Sequence, residues 1–153
     1  MKVRSMIDRR AVRNDERGSV LLEFSLSATL LFLFFFGIVN FARMFTAAEV
    51  VADAAAAGTQ YGALSPAHSG DFTGMQNAAL ADAPNAPGLS AIASQFCTCS
   101  IGGAHLTCPA SCDTGTSMTY IEVDASLPFT ATLTFPGMPS TMTLSRSSIV
   151  RVQ

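Results

Sequence analysis

The sequence predicts an α+β chain. It reads as a long N-terminal helix, membrane-spanning in its first half and amphipathic in its second, then a small antiparallel β-rich C-terminal domain stapled by disulfides. Three observations carry that expectation. The 19 residues from Phe24 to Ala42 contain no charge, which is the length a helix needs to cross a bilayer. Apolar and polar residues alternate through residues 121–135, the period of a strand with one face buried. All four cysteines, Cys97, Cys99, Cys108 and Cys112, fall in one short window beyond the apolar run.

Composition agrees with this division. Only 13% of the 153 residues are charged, against about 25% in an ordinary soluble domain. A hydrophobic content of 49% and a mean hydropathy of +0.37 exclude a disordered or collagen-like chain. The formal charge of -2 hides an asymmetry, because six of the nine basic residues (Lys2, Arg4, Arg9, Arg10, Arg13 and Arg17) precede Gly18. From Ser19 onward three arginines face eight carboxylates. Nucleic acid is therefore not an expected partner of the main body, and the basic end reads as an address.

Residues 1–18 form a polar, basic leader with too little apolar content to fold alone. The run from Phe24 to Ala42 follows, and seven of the eleven phenylalanines lie between Phe24 and Phe45. A buried helix of a soluble domain would carry a polar stripe, which this run lacks. Such a stripe begins only later. Arg43, Thr46, Glu49, Asp53 and Gln60 fall on one face at helical spacing, with Phe41, Phe45, Ala48, Val51 and Ala55 on the other. Ala54 to Ala57 favour helix, while Gly58, Gly62 and Pro66 read as stop signals. One helix is expected from about Val20 to about Tyr61, within a zone covering residues 19–62. Its small distal residues would let a sheet or a second helix approach closely.

Residues 63–88 read as a linker rich in Gly, Ser, Pro and Ala, with a short helix over Phe72 to Ala83 ended by Pro84 and Pro87. Residues 89–153 read as the β-rich domain. Leu89 to Cys99 is one expected strand. Ile121, Val123, Ala125 and Leu127 alternate with polar residues, as do Phe129, Ala131, Leu133 and Phe135. Pro136-Gly137-Met138-Pro139 has turn chemistry, after which Met142 and Leu144 resume the alternation as a hairpin or meander.

The side of the membrane decides the chemistry of the cysteines. Basic residues concentrate on the cytoplasmic side of a spanning helix, so the leader stays inside and the C-terminal domain goes outward, where disulfides persist. Two disulfides are the expectation. Of the three pairings, joining Cys97 to Cys99 is disfavoured because so short a ring strains the bond. A zinc site is the competing reading, but C-x-C and C-x3-C lack the usual C-x2-C pairs, and His105 is a loose extra ligand.

Glu23 does not suit a plain anchor, because an ionised carboxylate costs about 2.5–3.5 kcal/mol at the centre of a membrane helix and less near its ends. It lies in Arg17-Gly18-Ser19-Val20-Leu21-Leu22-Glu23-Phe24. A glycine closes a charged leader, an apolar run follows, and the glutamate is fifth after the glycine. This arrangement resembles the processing site of type IV pilins and, more closely, of the TadE-like minor pilins (pseudopilins) of tight-adherence pilus systems. The resemblance implies cleavage by a prepilin peptidase between Gly18 and Ser19, leaving Ser19 to Gln153 with the apolar helix attached. Glu23 would then be the assembly glutamate, neutralising the new α-amine of a neighbouring subunit in an apolar bundle, with Phe24 the aromatic residue typical of this branch. The length exceeds that of the major filament subunit and favours a minor pilin.

The same resemblance names the partners: the prepilin peptidase, other pilins or minor pilins, the inner-membrane assembly platform and membrane lipid. It places the chain once across the inner (cytoplasmic) membrane with its N-terminus in the cytoplasm, and then in a pilus serving adhesion and surface attachment. No cofactor is expected. No nucleophile-elbow, zinc-protease or P-loop pattern occurs. His68 and His105 lie in loops, and Glu122 and Asp124 read as one solvated strand face, so no catalytic residue is nominated. Two rival readings are a permanently anchored single-pass envelope protein acting as an interaction module and keeping residues 1–18, and a secreted domain cut after Ala48. The apolar run is too long for a secretory signal.

Overall fold

In the computed structural model the described residues are 5–113, 115–132 and 140–152, with side chains of the first helix described from Gly18 onward. The elements are helix α1 (Ser5–Ala63), a 3-10 turn (His68–Gly70), helix α2 (Phe72–Asp82), and strands β1 (Ser90–Thr98), β2 (Met118–Thr130) and β3 (Thr141–Arg151). The α+β class is the one expected. The chain divides into two compact units, one ending at Phe41 and one starting at Ala42.

The first unit is helix alone. Its backbone is helical from Ser5, so α1 begins about four turns before the expected Val20, and much of the basic leader has helical backbone. Leu, Phe, Val and Ile side chains from Val20 to Phe41 are exposed, Leu26 at 77% and Phe24 at 72%. An 18-residue window of this helix has a mean hydropathy of 2.1 and none of it is buried; by length and composition it can cross a membrane. Two of its hydroxyls are tied to their own helix backbone. The Ser25 hydroxyl donates to Leu22 O at 2.8 Å and the Thr29 hydroxyl to Ser25 O at 2.8 Å, which suits a medium that offers no water to hydroxyls.

In the second unit the rest of α1 acquires a buried side. Val51, Ala54 and Ala55 pack with Ala125 and Leu127 in one cluster, and Met75, Ala79, Ile121 and Val123 form another. The expected polar face, Arg43, Thr46, Glu49, Asp53 and Gln60, is exposed. Phe41 and Phe45 are exposed too, because the packed stretch of the helix starts about a turn beyond them.

Gly58 and Gly62 are not stop signals, since both lie inside α1, which continues to Ala63. They are points of close approach. A Cβ on Gly58 would stand 3.0 Å from both Met75 O and Val123 Cγ1, and one on Gly62 would stand 2.5 Å from Ile121 Cδ1 and 2.8 Å from Met75 Sδ. The helix thus accepts β2 and α2 together against its backbone, at a local cost of roughly 0.5–1 kcal/mol per helical glycine relative to alanine. Thr59, also buried, donates to Ala56 O at 2.9 Å and is hydrogen-bonded to Ser148 Oγ of β3 at 2.9 Å.

The sheet is antiparallel with order β1-β2-β3. β1 pairs with β2 from Ser90↔Ser126 to Thr98↔Met118, and β2 with β3 from Tyr120↔Arg151 to Thr130↔Thr141. Ile121, Val123, Ala125, Leu127 and Phe129 all point into the core, as their alternation requires. β2 runs through Pro128 and ends at Thr130, so its 13 residues take in the first expected segment and only the start of the second, Ala131 and Thr132 lying outside the strand. Pro128 is tolerated because even-numbered β2 residues bond towards β1, and β1 begins opposite Ser126; no ladder bond is asked of a residue without an N–H. Leu133, Thr134, Phe135 and the Pro136–Pro139 turn lie outside the described residues.

Candidate functional site

Gly18, Ser19, Glu23 and Phe24 all lie on α1 in the first unit, and all four are exposed. Their order along the helix is their geometry. Ser19 and Glu23 are four residues apart and share a face, displaced by about 6 Å along the axis. A Cβ on Gly18 would meet nothing within 4 Å. Packing within this chain therefore gives no reason for a glycine there, although glycine inside a helix is disfavoured by about 1 kcal/mol relative to alanine. Glu23 makes no hydrogen bond or ion pair among the described residues. Its carboxylate stands at the start of the apolar surface that runs from Val20 to Phe41.

The second unit holds the remaining candidates. Cys97 is bonded to Cys108 and Cys99 to Cys112, with Cα separations of 5.3 and 5.6 Å. The disfavoured Cys97–Cys99 link is absent, and all four sulfurs are consumed in disulfides rather than offered to zinc. The pairing follows from the backbone. Cys97 and Leu106 exchange two hydrogen bonds of 2.8 Å, folding the loop back along the outer edge of β1 and bringing the chain around Cys108 beside Cys97. His105 is stacked on Phe96 at 3.8 Å, and Phe96 on Tyr120 at 5.3 Å. The imidazole packs as an aromatic ring.

His68 is half-buried rather than an exposed loop residue. Its Nδ1 lies 2.6 Å from Ser65 Oγ and its ring meets Tyr61 edge-on. Tyr61 belongs to a clasp that the sequence reading missed. Asp71 caps α2 by accepting from Gly74 N at 2.8 Å, and the Tyr61 hydroxyl donates to the same carboxylate at 3.0 Å. Those two bonds, the Gly74 amide first, hold the Asp71 carboxyl below its ordinary range, and nearby His68 adds to the effect. The same contact raises the Tyr61 phenol. Asp71 directly before a helix carrying no other cap was a readable signal; its reach back to Tyr61 was not. A Cβ on Gly74 would come within 2.2 Å of Asp71 Oδ2 and 2.5 Å of the Tyr61 ring, so the clasp needs glycine there.

An open cleft of about 540 Å³ lies within the second unit, lined by Arg43 and Asp53 of α1, Asp82 to Pro87, and the end of β2 from Leu127 to Thr130. The Arg43 guanidinium donates to the Thr132 hydroxyl. Glu122 is half-buried and Asp124 exposed on the outer sheet face, and no group of three or more histidine, cysteine or carboxylate side chains arranged to hold a metal occurs among the described residues.

Residues 18–60 match the family model of TadE-like proteins. No curated protein and no solved structure matches the chain. The family match begins at Gly18 and ends within the packed half of α1, so it covers the apolar stretch and the helix surface that receives the sheet. Over residues 18–60, the chain is similar to the TadE-like proteins.

Proposed function

We propose that the protein is a minor pilin, or pseudopilin, cut by a prepilin peptidase between Gly18 and Ser19 and then taking part in assembly of a tight-adherence type IV pilus for surface attachment. The observation that carries this reading is the TadE-like match opening at Gly18, a helical glycine that packing in this chain does not require. The basic leader lies in the cytoplasm, the stretch from Phe24 to Ala42 crosses the inner membrane, and the disulfide-bonded domain lies outside. After cleavage the Ser19 amine and the Glu23 carboxylate are opposite charges at one end of an apolar surface. Neighbouring subunits staggered by about a turn pair them, the amine of one with the carboxylate of the next, so that neither charge is left alone in a medium of low dielectric. The other partners are the assembly platform, further pilins and membrane lipid. No cofactor and no catalysis belong to this role.

The test is the mature N-terminus, by intact mass, of protein made with and without a prepilin peptidase. A start at Ser19 that depends on the peptidase is the expected result. A start at Met1 in both cases would identify a permanent anchor, and a start near Glu49 a secreted domain.

A further inference from the structure

Of the sheet's two edge strands, β3 has no partner on its outer side among the described residues. β3 is an edge strand of 11 residues, about twice the usual strand length, and it pairs only with β2 among the described residues. The direction of its outward backbone groups follows from two bonds. Val152 N donates to Thr119 O and Ala131 N donates to Ser140 O, so in this register the even-numbered residues of β3 bond to β2. The odd-numbered residues Thr141, Thr143, Ser145, Ser147 and Ile149 direct their backbone N–H and C=O groups away from β2. All five are exposed.

β1, the opposite edge, is different. Its odd-numbered residues also face away from β2, but Cys97 is engaged by Leu106 of the disulfide loop. No such cover lies along β3 among the described residues. β3 also lacks proline, which natural edges use as a block. It has instead a charge on the core-facing side: Arg146, opposite Ala125, exposed and donating to Ser145 O.

An arginine there selects against an apolar strand and favours one that brings a carboxylate. A second copy of β3 brings none, since its only charged residues are Arg146 and Arg151. We infer that the β3 edge accepts an extended, carboxylate-bearing segment of another protein as a fourth antiparallel strand. The affinity comes from the odd-numbered backbone groups, and the selection from Arg146. This interaction surface is separate from the Glu23 region and does not rest on the processing reading.

The test uses the full-length chain in detergent micelles and a fluorescent nine-residue peptide of alternating valine and threonine with one central glutamate. Its counterpart carries lysine instead. Fluorescence anisotropy is expected to show saturable binding of the glutamate peptide, at least tenfold tighter than the lysine peptide. Ser147→Pro removes an outward N–H without touching the β2 ladder and is expected to weaken binding at least tenfold. Arg146→Glu is expected to reverse the peptide preference, a readout that a misfolded variant cannot give. Absence of saturable binding to the unaltered chain, equal binding of both peptides, or a preference unchanged in Arg146→Glu would overturn the inference. So would dimerisation of the unaltered chain that Ser147→Pro abolishes, which would make a second copy the occupant.

Discussion

Two stretches of one helix meet opposite fates. Between Val20 and Phe41 the side chains are large and apolar and remain exposed, while between Val51 and Gly62 they are small and largely buried. The glycines make the contrast sharpest. Around Gly37 an added Cβ would meet nothing within 4 Å, whereas at Gly62 it would meet Ile121 at 2.5 Å. Large apolar side chains thus mark the surface that the chain's own fold leaves uncovered, and smallness marks the surface closed by its own sheet. Leu and Phe offer area; Ala and Gly let a neighbouring backbone come close.

If that division holds, changes in the first stretch alter assembly and leave the C-terminal fold intact, while changes in the second do the reverse. The largest expected effect is from Glu23→Ala. Cleavage and insertion should persist, thermal unfolding of the disulfide-bonded domain should be unchanged, and the amount of protein recovered in sheared pili should fall at least tenfold. Wild-type recovery would remove Glu23 from the assembly mechanism.

The next effect is on stability. Gly62→Val forces two methyl groups towards Ile121 and Met75 and should destabilise the domain by about 1–3 kcal/mol. Gly37→Ala should leave its unfolding unchanged within error. Thermal melts of both variants in the same detergent check the pair, and an equal response would erase the distinction between the two stretches.

The smallest effect is from the clasp between α1 and α2. Asp71 is held below its ordinary range in the folded chain. Its contribution is therefore present in full above the unfolded carboxylate value of about 4 and is lost as pH falls through the lower folded value. The melting temperature should drop between pH 5 and pH 2, and Asp71→Asn should show a smaller drop over that window. Tyr61 is shifted the opposite way, so its share is present below about pH 10 and disappears as pH rises through the raised folded value.

Much of the candidate site was readable because it is local. Gly18, Ser19, Glu23 and Phe24 are neighbours in sequence, and a helix turns that order into geometry without help from distant residues. The polar stripe from Arg43 to Gln60 and the inward row from Ile121 to Phe129 were readable for the same reason, each being a fixed period of one regular element. Non-local matters were not. Composition alone read Gly58 and Gly62 as helix stops, because nothing nearby in sequence reveals that Met75, Ile121 and Val123 arrive against them.

By itself the sequence determined the α+β class, the uncharged stretch able to cross a membrane, the Gly18 to Phe24 pattern that resembles a processing site, and the presence of a cysteine-stapled strand domain. These are properties of composition, period and adjacency. Only the tertiary structure decided which cysteines pair, which glycines are close contacts, how Tyr61 reaches Asp71 and which strand is left with a free edge. Each of those depends on residues brought together across ten or more positions. Such contacts are fixed by the closure of the whole core, where register and close packing select one arrangement from several that local pattern permits.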